Sequence, residues 1–366
     1  MRVVVAVDSF GGTLTATEAA AAVAEGWLSV APHDLLDLAP VSDGGPGFVD
    51  VLTASLPGEI LSRAVRGPAG TATATRTLVH DGVAYVESAQ ACGLHLLAPE
   101  QRDPRRTTTY GVGELLAAAR DAGARRVVVG LGGSGTNDGG AGAWAALGAR
   151  ADGELAAGGA PLLDLRDLRA PDAGVDLVVA TDVDNPLLGP QGASAVFGPQ
   201  KGADRAAVLD LDDALRRWAD LVELATGRPG IRDAPGAGAA GGLGFGLLAL
   251  GASRAGGFAL VAEATGLPER VAAADLVVAG EGAVDATSLR GKAAIGVAGL
   301  AQRVAVPCIV VAGRVEVGRR DAAAAGIDAA YSVTDITGSP AAALAAGAEG
   351  VAAAAAAAAR AWSRSR

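Results

Sequence analysis

The chain has 366 residues, half of them hydrophobic and only 3% aromatic, with 53 glycines and a net charge of −10. That length suits two domains, each with its own core, and the acidic balance argues against nucleic acid as a partner. Cys92 and Cys308 lie far apart, as do His33, His80 and His95, so neither a disulfide framework, a CxxC motif, a histidine zinc site nor a Ser-His-Asp triad is indicated.

Short β-branched runs at residues 3–7, 126–129, 177–180, 276–279 and 309–312 alternate with helical stretches. Continuous apolar strands of this kind predict an α/β fold with a parallel sheet covered on both faces. The first run follows the initial Met at once, with no basic segment and long apolar stretch, so no signal peptide is expected and the cytoplasm is the expected location. Thr15 and Glu18 form a capping-box pattern before an Ala-rich helix, which leaves residues 8–12 at the C-terminal edge of a strand, where open α/β sheets bind ligands.

Farther along, GTATATRTLV and GVAYVES read as a hairpin, and RRVVVGLGGSGTNDGG reads as a strand giving way to a Gly/Asp loop and a helix. Residues 186–203 read as an irregular loop. The apolar run 236–250 is interrupted by glycines and is shorter than the roughly 20 residues that span a bilayer, so it reads as a buried Gly-rich loop entering a helix. DLVVAGEGAVDATSLRGK repeats the strand-to-loop pattern, and the alanine-rich tail reads as a packed terminal helix. Three Gly/Asp loops are thus expected to face one cleft. No repeat of 20 to 50 residues is evident, which argues against a solenoid.

The chain contains 28 arginines but only two lysines, Lys201 and Lys292, and two asparagines, Asn137 and Asn185, all four in these loops. A compact point charge beside glycine suits a phosphate, and Arg's planar fork does not imitate it. Gly130, Gly132 and Gly135 spell GxGxxG, but Asp152 and Glu154 fall in a turn instead of at a strand end, which disfavours a dinucleotide site; Lys292 lacks the upstream glycine and the following hydroxyl of a P-loop. What remains is a set of loop carboxylates, Asp8, Asp43, Asp138, Asp182, Asp184, Glu281 and Asp285, with the two lysines. Carboxylates to hold Mg²⁺, glycine N–H groups to approach phosphate and lysine to offset its charge are the parts of a phosphotransferase. The alternative for any single Asp is the capping of a helix.

Six ordered blocks, AVDSF, SDGGPGFVD, TTTYGVGEL, GGSGTNDGGAG, TDVDNPLLGPQGASAVFGPQKGA and GEGAVDATSLRGK, resemble the class I glycerate kinases over nearly the whole chain. The resemblance implies two α/β domains, one a discontinuous Rossmann-like parallel sheet (1–50, 105–150 and 270–366) and the other a smaller α/β domain (51–104 and 151–269), with the active site in the cleft between them. It implies ATP and Mg²⁺, transfer of the γ-phosphoryl group to a hydroxyl of D-glycerate or a similar small hydroxy acid, no nucleic-acid or membrane partner, and leaves a homodimer open. Asp182, Asp184, Asn185, Lys201 and Lys292 are the expected catalytic residues. Asp8, Ser9, Asp43, Gly44, Gly45, Gly133, Ser134, Thr136, Asn137, Asp138, Glu281 and Asp285 are the expected substrate and nucleotide contacts, with Asp182, Asp184 and Glu281 as Mg²⁺ ligands. Three family side chains are missing: Gly11 replaces a lysine, Pro46 a glutamate and Ala283 a long polar residue. Either Arg105, Arg106 or Arg290 compensates, or the chain is a paralogue with another acceptor or with ligand binding alone.

Overall fold

The computed structural model describes residues 1–285 and 293–363. In chain order its strands are β1 (Arg2–Val7), β2 (Leu35–Leu38), β3 (Glu59–Arg66), β4 (Ala72–His80), β5 (Val83–Glu87), β6 (Arg126–Gly130), β7 (Arg150–Ala151), β8 (Leu168–Arg169), β9 (Asp176–Ala180), β10 (Ser253–Ala255), β11 (Leu276–Val284), β12 (Cys308–Val315) and β13 (Ala329–Ser332). The chain divides into two compact α/β units, one of Met1–Asp43, Asp50–Ser55 and Phe258–Arg366, the other of Gly44–Val49 and Leu56–Gly257.

The first unit is built on a sheet of order β13-β12-β11-β1-β2 in which neighbouring strands run parallel. Strand alternation divides its residues between two apolar layers. Val3, Val5 and Val7 pack with the helices Ala16–Val30 and Pro340–Trp362, while Val4 and Ala6 pack with the helix Ala293–Arg303. Burial on both faces explains why these strands carry unbroken Val and Ala runs. From β1 the chain steps to β2 on one side, and from β11 through β12 to β13 on the other. The direction of winding therefore reverses between β1 and β11, and ligands in open α/β sheets bind at the carboxyl ends of strands at such a point.

The helix Ala16–Val30 starts with the expected capping box, in which Thr15 Oγ1 accepts from Glu18 N at 3.2 Å and Glu18 Oε2 accepts from Thr15 N at 2.9 Å. It runs against Pro340–Trp362, whose buried Ala354, Ala355, Ala358 and Ala359 form the contact stripe. Among the described residues this last helix is the one long and apolar enough to cross a membrane by length and composition, yet that stripe lies in the core of the unit. Gly347 (φ 50°, ψ −127°) interrupts it, so it is two helical segments joined at a bend.

The second unit holds a sheet of order β10-β9-β6-β5-β4-β3. Strands β5, β6, β9 and β10 are parallel neighbours, and β3, β4 and β5 form an antiparallel meander containing the expected hairpin. Its cores are closed by aromatic residues that keep their polar ends bonded. Trp144 and Trp218 meet edge-to-face with centroids 5.4 Å apart, and their indole N–H groups donate to Gly246 O at 2.8 Å and Gly139 O at 3.0 Å. The apolar run at 236–250 is the helix Ala239–Ala249, entered through left-handed backbone at Ala240, Gly241 and Gly242. The segment 186–203 is more ordered than an irregular loop, because it folds the short helix Ala193–Phe197 and the 3₁₀ turn Pro199–Lys201.

The expected division of the chain differs at residues 105–150. This stretch carries β6, whose ladder runs to β5 on one side and β9 on the other, so it folds with the second unit and makes that unit the larger. Periodicity marks β6 as a buried parallel strand but is identical for either sheet.

A Cβ on Gly26 would lie 1.9 Å from the carbonyl oxygen of Ala352. Helix propensity alone would make Gly26→Ala stabilising by up to about 1 kcal/mol, whereas a forced separation of two packed helices costs about 1–3 kcal/mol. We expect a net loss of stability in urea denaturation; a gain would show that the two backbones are not held this close.

Candidate functional site

The winding reversal gathers carboxylates in the first unit. Asp8 follows β1, and its N–H donates to Gly280 O at 2.8 Å while its Oδ1 accepts from Ser9 N at 2.6 Å. Beyond β2 the chain continues alongside β1 through Ala39 N to Val5 O and Val41 N to Val7 O, which carries Asp43 towards the same end. Glu281 is buried on β11, one residue past the partner of Val7. Burial, and then the charges of Asp43 and Glu281, push the Asp8 carboxyl from its ordinary 3.8 up to about 8, partly opposed by the Ser9 N–H. Desolvation and like charges both disfavour the ionised form. Ser9 is half-buried, as is Asp285, which follows β11.

The second unit builds its loop after β6 differently. Lys201 is almost fully buried, and its Nζ donates to Ser134 Oγ at 2.9 Å and to Thr136 O at 2.7 Å. Burial lowers its ammonium to about 8, with Cys92 and Asp138 pulling the other way. Asn137 Nδ2 donates to Ser194 Oγ at 2.9 Å, and Asn137 Oδ1 is buried without a hydrogen-bond partner among the described residues. An unmet buried acceptor costs about 1–3 kcal/mol, which a donor from a ligand would recover. Asp138 accepts from Thr109 N (2.8 Å), Thr109 Oγ1 (2.9 Å), Gly140 N (3.1 Å) and Gly142 N (3.2 Å). It therefore caps the helix Ala141–Ala146 and ties down the threonines before the helix Tyr110–Asp121. With both oxygens bonded and the residue fully buried, Asp138 shapes the loop instead of facing a ligand. Gly133, at the loop's outer edge, is exposed, and Gly44 and Gly45 are buried.

Of the expected catalytic set, Asp182 is half-buried just after β9, and Asp184 is exposed and ion-paired to Arg254 at 2.6 Å. Asn185 Nδ2 donates to Gln191 O at 2.7 Å. Lys292 and Arg290 lie outside the described residues. Arg105 turns its guanidinium to Asp103 at 2.9 Å, which leaves it poorly suited to replace a lost charge. No group of three or more His, Cys, Asp or Glu side chains is placed to hold a metal ion among the described residues.

Several contributors went unnoticed in the sequence. Glu87 is buried at the end of β5 and accepts from Gly47 N at 3.1 Å and Val49 N at 3.3 Å. Thr107 Oγ1 donates to Gly135 O at 2.8 Å, and Thr109 and Ser194 support Asp138 and Asn137. The signal available was the run Thr107-Thr108-Thr109: three adjacent hydroxyls ahead of a helix are more than one cap requires. Cys92, also buried, is raised to about 12 chiefly by desolvation, so it is an inert thiol beside the loop.

Asp8 binds its proton more tightly in the folded chain than in the unfolded one, so its ionisation opposes folding. The penalty is absent below the ordinary value of 3.8, grows as pH rises towards about 8 and is constant above. Asp8→Asn is expected to stabilise the protein at pH 8 and to change it little at pH 4, read from melting curves across that range; an equal effect at both ends would mean that Asp8 carries no raised proton affinity.

The glycerate kinase family profile matches residues 3–363. An uncharacterized protein of Mycobacterium bovis is 45% identical over 94% of this chain and 87% of its own length. A protein of Bacillus subtilis named glycerate kinase is 44% identical over 91% of this chain and 90% of its own. Glycerate 2-kinase of Escherichia coli is 40% identical over 93% and 92%. A crystal structure of a candidate glycerate kinase 2 from Salmonella typhimurium LT2 superposes with a TM-score of 0.80, at 38% identity, over 99% of this chain and 98% of that one. By profile, by identity along almost its whole length and by fold, this chain belongs to the glycerate kinase family.

Proposed function

We propose that the chain is an ATP-dependent glycerate kinase of the cytoplasm that transfers the γ-phosphoryl group to a hydroxyl of D-glycerate and gives 2-phosphoglycerate. The kinase class follows from the family; the observation that carries the finer reading is the crowding of Asp8, Asp43 and Glu281 at the winding reversal of the first unit. An acceptor hydroxyl must lose its proton as the O–P bond forms, and a carboxylate with proton affinity near neutrality is suited to receive it. Asp8 is the proposed acceptor of that proton, with Asp43 and Glu281 setting its affinity.

The donor set also fits Mg²⁺. Hard carboxylate oxygens suit the ion, which is held by one or two carboxylates together with substrate phosphates. When bound, Mg²⁺ supplies charge neutralisation at the phosphates. Asp182 and Glu281 are retained as its proposed holders, so that Asp8 keeps the proton-accepting role. The Arg254 ion pair makes Asp184 a weaker candidate for ligand or base, and Asn185 is proposed to hold its loop through Gln191.

Ser134, Thr136 and Asn137 are the proposed phosphate contacts, through backbone N–H groups and side chains, and Lys201 holds their loop from beneath. Gly44, Gly45 and Gly133 allow the backbone to approach a ligand. Ser9 and Asp285 complete the proposed substrate contacts, and Lys292 remains the proposed cation at the transferring group.

The altered residues Gly11, Pro46 and Ala283 favour one other reading, a paralogue with a different acceptor or with ligand binding alone. ADP formation from MgATP with and without D-glycerate, with the product assigned by ³¹P NMR, separates the two. Glycerate-dependent turnover of about 1–100 s⁻¹ is expected. MgATP binding with no glycerate-dependent ADP would replace it with the second reading.

If Asp8 takes the proton, kcat/KM rises with pH towards about 8. Asp8→Asn is then expected to lower kcat/KM by about 10²-fold or more and to abolish that limb of the profile. A profile unchanged in Asp8→Asn would remove Asp8 from the role.

A further inference from the structure

The first unit contains a cavity of about 230 Å³ whose lining includes Phe10 and Gly11, which follow β1, and Gly282 and Ala283 of β11. Gly11, Ala283 and Arg314 line it from the strand side, and Leu344, Gly347 and Val351 from the bent C-terminal helix. Gly11 and Ala283 are two of the three positions where a long polar side chain is missing. Among the described residues, a Cβ built on Gly11 meets nothing within 4 Å.

Arg314 faces that space. On β12 it is the register partner of Ala283, as Ala312 is of Glu281. Paired residues of neighbouring strands lie on the same face of a sheet, and residues two apart along a strand share a face. Arg314 is thus the cross-strand neighbour of Ala283, and it is the one cationic side chain lining the cavity among the described residues. Its present partner is Glu316 at 3.2 Å, with both side chains about half exposed. An exposed pair of this kind is weak and readily exchanged for another anion, and the guanidinium fork matches carboxylate and phosphate alike.

We propose that Arg314 binds an anionic oxygen group of a substrate beside Ala283, supplying from β12 the charge that positions 11 and 283 no longer carry. The anion is either the carboxylate of the acceptor or a phosphate of the nucleotide; naming those two sources rests on the kinase reading, while the cation site itself does not.

The test compares wild type, Arg314→Ala, Arg314→Lys and the double variant Ala283→Arg/Arg314→Ala. Steady-state kinetics are measured with D-glycerate and MgATP varied in turn, alongside calorimetric titration with MgATP and with D-glycerate. Arg314→Ala is expected to raise KM for one of the two by about tenfold or more, with kcat changed by only a few-fold. Arg314→Lys should fall between, and the double variant should recover much of the loss because its cation returns on the neighbouring strand. A shift confined to D-glycerate assigns the carboxylate, and one confined to MgATP assigns the phosphate.

Unchanged KM values and affinities in folded Arg314→Ala would overturn the proposal. If Arg314→Ala does not fold, Arg314→Lys and Arg314→Gln decide it, and Gln binding as well as wild type also overturns it. A wild type without turnover whose affinity for either ligand falls in Arg314→Ala would retire the kinase reading and keep the anion site. A wild type that neither turns over nor binds either ligand would retire both.

Discussion

Like-charge crowding at the end of a parallel sheet is the constraint on which the first unit depends. The order β13-β12-β11-β1-β2 sends the chain outwards in both directions from β1 and β11, so the segments that follow β1 and β2 and the end of β11 come to one edge whatever their side chains are. Placing Asp8, Asp43 and Glu281 on those segments raises the proton affinity of Asp8. Two of the three positions are fixed by strand register: Gly280 is the partner of Val7, so Asp8 and Glu281 are each the next residue along adjacent strands. A sheet with β11 elsewhere would separate the charges and leave an ordinary carboxylate.

The second unit reaches a defined loop by the opposite route. There the charged groups are buried and paired, and they hold backbone. Asp138 draws in N–H groups from three residues, and Lys201 bonds a hydroxyl and a carbonyl of residues 134–136. Because both ends of this network are fully buried, removing either partner would leave unmet polar groups, which is far more costly than breaking a surface pair. The loop is rigid for that reason, and a rigid loop of glycine and small polar residues is a pre-organised surface for an anion.

Much of this was legible in the sequence. Strand runs, the Thr15–Glu18 capping box, the hairpin of β4 and β5 and the glycine-rich entry to the helix Ala239–Ala249 follow from local pattern, which survives in the fold because each side chain meets the same kind of neighbour in any α/β sheet. Assignment of β6 to a sheet was not legible: an apolar run buried on both faces is equally at home in either unit, and only the ladder partners decide. For Lys201, spacing could not tell an exposed phosphate ligand from a buried strut, and its burial and bonds to Ser134 and Thr136 have the geometry of a strut. Arg314 was invisible for a related reason. Residues 283 and 314 meet through strand register, and nothing local to either position announces the other.

The two units also differ in how they bear the conflict between stability and function. A carboxyl whose ionisation opposes folding is kept only if its altered proton affinity is useful, since a neutral isostere would be more stable. Asp8 meets that description and Asp138 does not: Asp138 is held by hydrogen bonds to its charged form, although burial still raises it. Burial alone therefore does not separate a working carboxylate from a structural one. The partners do, because N–H and hydroxyl donors stabilise the ion in place, whereas neighbouring carboxylates leave a deficit that only a proton or an incoming cation can remove. On that criterion Asp8 and its neighbours are the proposed seat of the chemistry, and Lys201 and Asp138 of the second unit hold the backbone and side chains of their loop.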